Sequence, residues 1–438
     1  MSGLASLPRR AWPQVLTLFA SRVVDFYQQA AFQTVAPYQL SALGDPAALA
    51  AHVGLATGLF TAAQVATSVW WGGAADRHGR KAVLLASLAG SAAACLGQAL
   101  APGAAAVVAW RAVAGAVNGS VPAARAAMSE AVDPRHRPAA FALLVLSFNL
   151  ASLLGPAVSV AVMPDPVPVP VPDVSPAAGA RWLARFPYAP PSLLSALFVA
   201  AGALLVLCVL EETAGRRTER AGLGKAEAAR EPDRASASSS SSHPLWTRRF
   251  GLVVASVALL DTHLGAFSSV WPLFISAELG LPPSSLATTT GFLGLGGLVL
   301  QLLVVPRLTT RHGTMRPYRW TLFLFPLSYL LMPLLRDLSF SGSPLFWPAV
   351  GVLLALHVVA RTFGLLAVLL LLNGSDGPLG RVHGIGNATT GLARTLGALA
   401  GGAVFGLGRA NAMPGLAWWL SAAVATGAWV LSFSLEES

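Results

Sequence analysis

Charged residues are scarce in this sequence of 438 residues. Lys and Arg together number 29 and Asp and Glu number 19, so 11% of the chain is charged. An average soluble domain is roughly a quarter charged. So few charges cannot cover the surface of a soluble protein of this length, which argues against a soluble enzyme and against a disordered scaffold. The 55% of hydrophobic residues indicates a membrane as the natural solvent of the chain.

Cysteine is also scarce, and several chemical patterns are missing. The two cysteines, Cys95 and Cys208, lie inside apolar runs and predict no secreted-type disulfide framework. The eight histidines are scattered without metal-ligand spacing. The sequence has no phosphate-binding Gly-Lys-Ser/Thr loop, no nucleophile constellation and no paired catalytic acids. We therefore expect no metal, no cofactor and no enzymatic activity.

Long apolar stretches are what the sequence has in abundance. They are continuous and lack the alternation, over about 10 residues, that is typical of an outer-membrane barrel. A transmembrane helix needs about 20 mostly apolar residues, and twelve such segments can be placed. The sequence predicts an all-α membrane protein whose helices lie approximately at 13–36, 53–72, 82–101, 104–128, 138–162, 189–210, 249–275, 284–306, 317–335, 345–371, 382–407 and 414–434.

Basic residues exceed acidic ones by ten, and their placement predicts the topology. No basic run is interleaved with aromatic residues, so nucleic acid is not an expected partner. Membrane proteins keep Lys and Arg in their cytoplasmic loops. If both termini are cytoplasmic, the inner loops carry most of the basic residues, including Arg77, Arg80 and Lys81. We expect this orientation, with the plasma membrane and the vacuolar membrane left open.

A polar stretch divides the twelve segments into two sets of six. Residues 211–249 contain eight Lys/Arg, six Asp/Glu and a serine tract at 238–242, a composition that cannot bury a core. The predicted organisation is a cytoplasmic tail (1–12), a six-helix bundle (13–210), a disordered cytoplasmic linker (211–248), a second six-helix bundle (249–434) and a short cytoplasmic tail (435–438).

The two sets of segments share short sequences at similar offsets. Arg-His-Gly at 77–79 recurs at 311–313, Asp25 has a counterpart in Asp261, and Leu-Gly at 154–155 recurs at 396–397. Two parallel six-helix repeats around a site at the membrane midplane are a known transporter plan. The sequence therefore predicts two six-helix pseudo-repeats.

The segment 72–81, Gly-Gly-Ala-Ala-Asp-Arg-His-Gly-Arg-Lys, carries the strongest local signal. It resembles the signature loop of the major facilitator superfamily, of the form G-x-x-x-D-R-x-G-R-K. Glycine allows helix ends to approach closely and permits positive φ, and a carboxylate can accept from an exposed helix N-terminus. The predicted gating residues are Gly72, Asp76, Arg77, Gly79, Arg80 and Lys81.

Two further segments resemble the same superfamily. Arg111, Gly115 and Gly119 match its R-x-x-x-G-x-x-x-G segment in the fourth helix, where small residues four apart allow close packing. The fifth helix keeps the Gly-Pro of the antiporter motif, but Ser159-Val160 replaces its final Gly-Gly, and Ala398 replaces a proline in the eleventh. The predicted helix-packing residues are Gly115, Gly119, Gly155, Pro156, Gly397 and Gly401.

Segments around Ser21-Arg22, Arg185–Tyr188 and Gly380–Gly384 are similar to the twelve-span multidrug:proton antiporter and zinc-induced-facilitator-like branch. This resemblance implies proton-coupled export of a small organic solute by alternating access. A proton symporter or facilitator for a nutrient is the alternative within transport. A receptor or scaffold on the same fold is the alternative outside it. The expected partners are the lipid bilayer, a small-molecule substrate and protons, and we expect a functional monomer.

Ionisable residues inside the spans predict the transport pathway, because each costs at least a few kcal/mol in a membrane. Asp25, Gln29 and Gln33 form one polar stripe on the first helix, which we expect to line a cavity with Arg111 within reach of Asp25. Proton or substrate contact and a static ion pair are equally open for the two aspartates. The predicted pathway residues are Asp25, Gln29, Gln33, Arg111, Asp261 and Arg394.

Overall fold

A computed structural model describes residues 11–133, 136–163, 186–212, 247–312, 315–373 and 379–435. Within these ranges the chain is helical and contains no strand, as expected where the backbone must satisfy its own hydrogen bonds in lipid. Residues 1–10 of the predicted N-terminal tail, 213–246 of the predicted linker and 436–438 of the predicted C-terminal tail lie outside the described residues.

Twelve helical segments follow one another along the described chain, each overlapping one predicted apolar segment. In chain order they are α1 Trp12–Leu43, α2 Leu49–His78, α3 Arg80–Ala99, α4 Ala104–Ala131, α5 Arg137–Ala161, α6 Ala189–Val209, α7 Arg248–Glu278, α8 Pro283–Val304, α9 Met315–Leu331 with Leu334–Phe340, α10 Phe346–Asn373, α11 Leu379–Ala410 and α12 Leu416–Ser432. A short helix, Val305–His312, continues α8.

Nine of these described helices are long and apolar enough to cross a membrane, namely α2 to α8, α10 and α11. The two parts of α9 together pass the same test, with a bend of 44° at the break where Pro333 removes a backbone donor. Helix α12 is apolar but has 17 residues, and α1 has 32 residues with five glutamines among them. The predicted all-helical membrane fold is confirmed.

The pseudo-repeat is visible in the positions of two aspartates. Asp25 lies thirteen residues after the first residue of α1 (12 to 25), and Asp261 lies thirteen residues after the first residue of α7 (248 to 261). Helix α1 packs on α5, and α7 packs on α11. The first and seventh spans therefore occupy corresponding places in the two six-helix repeats.

Close packing of α2 on α11, which joins the two repeats, is confined to one part of these helices. We call the side on which α1 begins and α12 ends the terminus side, and the other the opposite side. On the opposite side, Tyr38 Oη donates to the Leu281 carbonyl at 2.9 Å, and a Cβ on Gly402 would lie 2.6 Å from the Ala50 carbonyl oxygen. The contact between α2 and α11 extends inward as far as Val65 and Gly391.

The same helix faces are apart nearer the terminus side. Gly72 and Gly384 each lie seven residues, or about two turns, beyond Val65 and Gly391 on these faces. A Cβ added to either glycine would meet nothing within 4 Å. The structure is therefore closed on the opposite side and open on the terminus side.

Candidate functional site

Asp25 lies at the centre of a buried polar cluster between α1 and α4. Its side chain is fully buried and forms an ion pair with Arg22, one turn earlier in α1. Ser120 Oγ lies 2.6 Å from the same carboxylate oxygen, and Asn118 Nδ2 donates to the other at 3.1 Å. These contacts compensate the carboxylate for its removal from water.

The local fold of α4 places the Asp25 partners. Regular helix ends at Ala116 and resumes at Ser120, so the residues at the interruption present side chains to α1. Asn118 and Ser120 follow the arginine-glycine motif directly in sequence. Sequence reasoning used that motif for packing and did not identify either residue as an aspartate partner. The signal that could have identified them is a pair of polar residues, one on each side of Gly119, within an apolar segment.

Arg111 is not the partner of Asp25, which corrects the sequence-based expectation. Its guanidinium carbon lies 4.1 Å from the ring centroid of Phe32 and 4.3 Å from that of Phe60. Nε and Nη1 have no hydrogen-bond partner in the described structure. Arg22 takes the place of Arg111 because a residue at i−3 lies on the same helix face as Asp25.

The polar stripe on α1 also differs from the expectation. Gln29 and Gln33 are half-buried, and Gln29 Nε2 donates to the Asp25 backbone carbonyl at 3.3 Å. Asp25 itself is enclosed among its partners and does not line an open cavity. The face is polar as predicted, but the carboxylate is withdrawn from the space between the repeats because Arg22, Asn118 and Ser120 surround it.

Asp261 has a similar set of partners in the second repeat. Arg394 Nε donates to one carboxylate oxygen at 2.6 Å, and Thr390 Oγ1 donates to the other at 2.7 Å. The carboxylate is 2% exposed, whereas the Arg394 side chain is 42% exposed. The ion pair therefore presents its cationic partner to the open space. Asp261 and Arg394, the two predicted pathway residues of this repeat, are therefore in direct contact.

The signature loop is organised around Arg80, whose side chain is 5% exposed. It donates to Asp76 Oδ1 at 2.8 Å, to Glu130 Oε1 at 3.0 Å and to the Ala75 carbonyl at 2.6 Å. The loop thus connects α2, α3 and the end of α4. The Asp76 side chain is 67% exposed and binds within its own loop in this structure, with α11 apart from it on the terminus side.

Glu212 completes the loop, and sequence reasoning missed it. Its two carboxylate oxygens accept the backbone N–H groups of Arg80 and Lys81 at 2.9 and 3.2 Å, at the positively polarised start of α3. Gly79 has φ +94°, and a Cβ there would lie 2.3 Å from Glu212 Oε2. Lys81 Nζ donates to the Leu207 carbonyl at 2.8 Å, while Arg77 is exposed.

The predicted packing glycines all lie where another helix comes close. A Cβ on Gly115 would lie 2.0 Å from the Phe60 carbonyl oxygen, and one on Gly397 would lie 1.9 Å from that of Thr262. Pro156 lies inside α5, one residue after the closest approach to α1. An added Cβ would also collide with a residue of another helix at three further glycines: with Trp71 at Gly119, with Ala30 and Ala31 at Gly155, and with Ala266 at Gly401.

Among the described residues, no group of three or more His, Cys, Asp or Glu is placed to hold a metal ion. His263 Nδ1 lies 3.1 Å from Tyr329 Oη, and the His357 ring stacks 3.9 Å from that of Phe267. Both histidines belong to the aromatic core of the second repeat. The site therefore consists of buried ion pairs around a space open on one side, which suits binding and translocation.

Comparison with known proteins gives a consistent picture. The family model of the Major Facilitator Superfamily matches residues 18–398. The multidrug transporter mfsB of Aspergillus fumigatus is 24% identical, with 97% of this chain and 84% of that protein covered. The efflux pump azaK of Aspergillus niger is 32% identical over 162 residues, 34% of this chain and 32% of that protein.

Two solved structures share the fold over nearly the whole chain. The human organic anion transporter MFSD10 (TETRAN) has a TM-score of 0.63 at 20% identity, covering 97% of this chain and 100% of that one. A D-xylose-proton symporter has a TM-score of 0.75 at 14% identity, covering 97% and 98%. The chain belongs to the Major Facilitator Superfamily and is a multi-pass membrane transporter, not an enzyme.

Proposed function

We propose that the protein exports a small organic solute by alternating access, driven by protons moving in the other direction. The observation that carries the proposal is the geometry of α2 and α11. Their faces touch from Ala50–Gly402 to Val65–Gly391 and separate over the next two turns. Gly72 and Gly384 face open space on the same helix faces. Two glycines are suited to a second close contact, which would close the terminus side as the opposite side opens.

Both termini are proposed to be cytoplasmic. In the described structure the terminus side carries Arg77, Arg80 and Lys81 in the signature loop, and Arg316 at the start of α9. Inner loops of membrane proteins are enriched in such residues. On this assignment the structure is the inward-open state, ready to take a solute from the cytoplasm. The two six-helix bundles, 13–210 and 249–434, are proposed as its moving bodies, joined by residues 211–248.

The proton site is proposed at Asp25. Its carboxylate is held by Arg22, Asn118 and Ser120, with Arg111 and the Cys95 thiol within electrostatic range. Protonation would release Arg22 from its charge partner and change the contact between α1 and α4. A buried ion pair is sensitive to such a change, because an unpaired charge in a membrane interior is costly. Asp261 with Arg394 is the corresponding pair in the second repeat.

Export is favoured over import because the two Aspergillus relatives are a multidrug transporter and an efflux pump. Proton symport is the second candidate. It is supported by Ser159-Val160 in place of the antiporter Gly-Gly. Ser159 is buried, and its hydroxyl donates to the Gly155 carbonyl at 2.6 Å.

Crosslinking tests the alternating-access part of the proposal. In a Cys208→Ser background, the pair Val65→Cys with Gly391→Cys reports the described state, since a Cβ on Gly391 would lie 3.3 Å from that of Val65, near the range for disulfides. The pair Gly72→Cys with Gly384→Cys reports the proposed second state. We expect both pairs to crosslink in membranes, the second only in protein that can change state. Failure of the second pair under all conditions would contradict the proposal.

Accumulation assays test direction and coupling. Cells lacking and overproducing the protein are compared, at two external pH values, for retention of fluorescent organic solutes of differing charge. Export predicts lower retention on overproduction, lost when the proton gradient is collapsed. Higher retention with the same gradient dependence would identify a symporter instead.

A further inference from the structure

Cationic side chains outnumber anionic ones deep inside the described helices. Counting residues at least six positions from either end of a helix, the two acids are Asp25 and Asp261. Five arginines occupy such positions: Arg22, Arg111, Arg125, Arg361 and Arg394. Each costs free energy in a membrane unless it has a partner or water. The interior of the transporter therefore has an excess of positive charge.

Ion pairs account for only part of this excess. Arg22 binds Asp25, and Arg394 binds Asp261. Arg111 is 2% exposed and lies between two phenylalanine rings, out of reach of a solute. Arg125 and Arg361 remain, and neither has a carboxylate partner or hydrogen-bond acceptor among the residues that the structure describes.

Arg125 faces the space between the repeats. It is exposed, yet it lies within electrostatic range of Arg22 in α1 and of Arg394 in α11. Because α11 belongs to the second repeat, this exposed side chain lies at the boundary between the repeats, beside the space that opens on the terminus side. A solute entering from that side would meet this guanidinium.

Arg361 lies across the same space, on α10. Its guanidinium carbon is 5.4 Å from the ring centroid of Phe148 on α5, so it too bridges the two repeats. It lies within electrostatic range of Arg394. Three cationic groups, Arg125, Arg361 and the half-exposed Arg394, thus face one region without an uncompensated acid. The mutual repulsion of these cations is reduced when an anion lies between them.

An aromatic pair adjoins these cations. The Phe26 and Phe148 rings meet edge to face, with centroids 5.2 Å apart, and Phe148 is 36% exposed. Arg22 lies 4.1 Å from the Phe26 centroid, and Arg361 lies over Phe148. Aromatic rings beside guanidinium groups bind planar ligands by stacking, while the guanidinium binds carboxylate or sulfonate oxygens.

We propose that the space between the repeats binds organic anions that carry an aromatic ring. Arg125 and Arg361 bind the acidic group, and Phe148 contacts the ring. This proposal rests on the proposed transport function. It narrows the transported solute from small organic compounds in general to aromatic acids. A bound anion would compensate cationic side chains from both repeats at once. It would thereby lower the repulsion that opposes the approach of the two repeats.

Binding to the purified protein in lipid nanodiscs tests the proposal without any gradient. The probes are fluorescein, an anion at pH 7.4, and rhodamine 6G, a cation with a related ring system, each followed by fluorescence anisotropy. We expect fluorescein to bind at least tenfold more tightly than rhodamine 6G. Arg125→Gln and Arg361→Gln should each weaken fluorescein binding at least tenfold. Arg316→Gln, which removes an exposed charge at the start of α9, should leave it unchanged.

Folding is controlled within the same experiment. Arg125→Lys and Arg361→Lys keep the charge and should retain most of the fluorescein binding, and size-exclusion profiles of all variants should match the wild type. Absence of saturable fluorescein binding, a preference for rhodamine 6G, or unchanged binding in both Gln variants would overturn the anion site. Fluorescein binding that depends on the arginines, in a protein that moves no solute, would instead overturn the proposed function and leave the anion site standing.

Discussion

Asp25 and Asp261 occupy corresponding positions in α1 and α7, and each is buried with one arginine and a hydroxyl group. The hydroxyl comes from Ser120 on α4 in the first repeat and from Thr390 on α11 in the second. The arginines differ in placement. Arg22 is on the same helix as its aspartate, whereas Arg394 comes from another helix and is ten times more exposed than Arg22 (42% against 4%). The two pairs therefore occupy equivalent positions in the two repeats but differ in how exposed their arginines are.

Replacing the carboxylate at Asp25 separates proton coupling from a static ion pair. Asp25→Asn keeps the shape and the contacts to Asn118 and Ser120 but removes the charge. If Asp25 carries the proton, we expect solute flux in proteoliposomes to become independent of an imposed pH gradient, with at least a tenfold loss of gradient-driven flux. Asp261→Asn is the matched variant in the second repeat.

Stability measurements complete that test. Removing one partner of a buried pair costs about 3–5 kcal/mol, so Asp25→Asn should unfold at lower temperature. Asp261→Asn should lose less stability, because its partner Arg394 is half-exposed. The double variant Arg22→Gln with Asp25→Asn should recover part of the loss. Flux through Asp25→Asn that keeps the wild-type dependence on pH would assign the residue a purely structural role.

Asp76→Ala is expected to slow transport at least tenfold with little effect on folding. In the open structure this carboxylate is exposed and contacts only its own loop, and such surface pairs contribute about 0–1 kcal/mol. In the proposed second state it would lie near residues 382–386, in the first two turns of α11, where the positive end of the helix attracts a carboxylate. Flux and thermal unfolding are measured together. Asp337→Ala, an exposed acid in α9, is the control, and equal flux in the two variants would contradict the latch.

Gly79→Ala is expected to destabilise the protein by about 1–3 kcal/mol, because φ +94° disfavours a side chain and the new Cβ would collide with Glu212. The carboxylate would have to leave the start of α3. Gly73→Ala is the matched control six residues earlier, where a Cβ meets nothing within 4 Å and helix propensity improves by up to about 1 kcal/mol. The melting temperature should fall in the first variant and hold or rise in the second. The opposite order would show that Glu212 does not anchor the loop.

Gly397→Ala tests the packing of α7 against α11. The added methyl group would lie 1.9 Å from the Thr262 carbonyl oxygen, so the two backbones must separate, at a cost of about 1–3 kcal/mol or more. We expect a lower unfolding temperature and reduced expression of folded protein. Gly351→Ala in α10, where the new carbon meets nothing within 4 Å, should behave as wild type. Equal melting curves for Gly397→Ala and the wild type would mean that the two helices separate without loss of stability.

Much of the fold is predictable from the sequence, because a lipid-embedded helix must be both long and apolar. The break between α3 and α4 falls at Pro102-Gly103, between the third and fourth predicted segments, and α9 bends at Pro333, within the ninth. Helix α1 ends at Leu43, seven residues beyond the predicted end at 36, and continues through Pro37 and Gln39. A helix packed against neighbours tolerates both residues.

The partners of the site residues were harder to predict. Whether Asp25 meets Arg22 or Arg111 depends on the rotation of α4 and on two phenylalanine rings that surround Arg111. Only one of these rings, Phe32, lies on α1, so the local pattern of that helix does not decide between the two arginines. Glu212 was missed for a similar reason, since it lies 132 residues from Arg80 and meets it only through the packing of α3 on α6.

Glu212 is also the last described residue before the long polar stretch, and Thr247 is the first after it. Glu212 is fastened to the start of α3, and Thr247 Oγ1 accepts the Phe250 N–H at 3.1 Å at the start of α7. Each end of the intervening chain is therefore anchored by its own repeat and does not rely on continuity through residues 213–246. The protein is in this respect equivalent to two covalently joined subunits, and a cut within the stretch would leave both anchors in place.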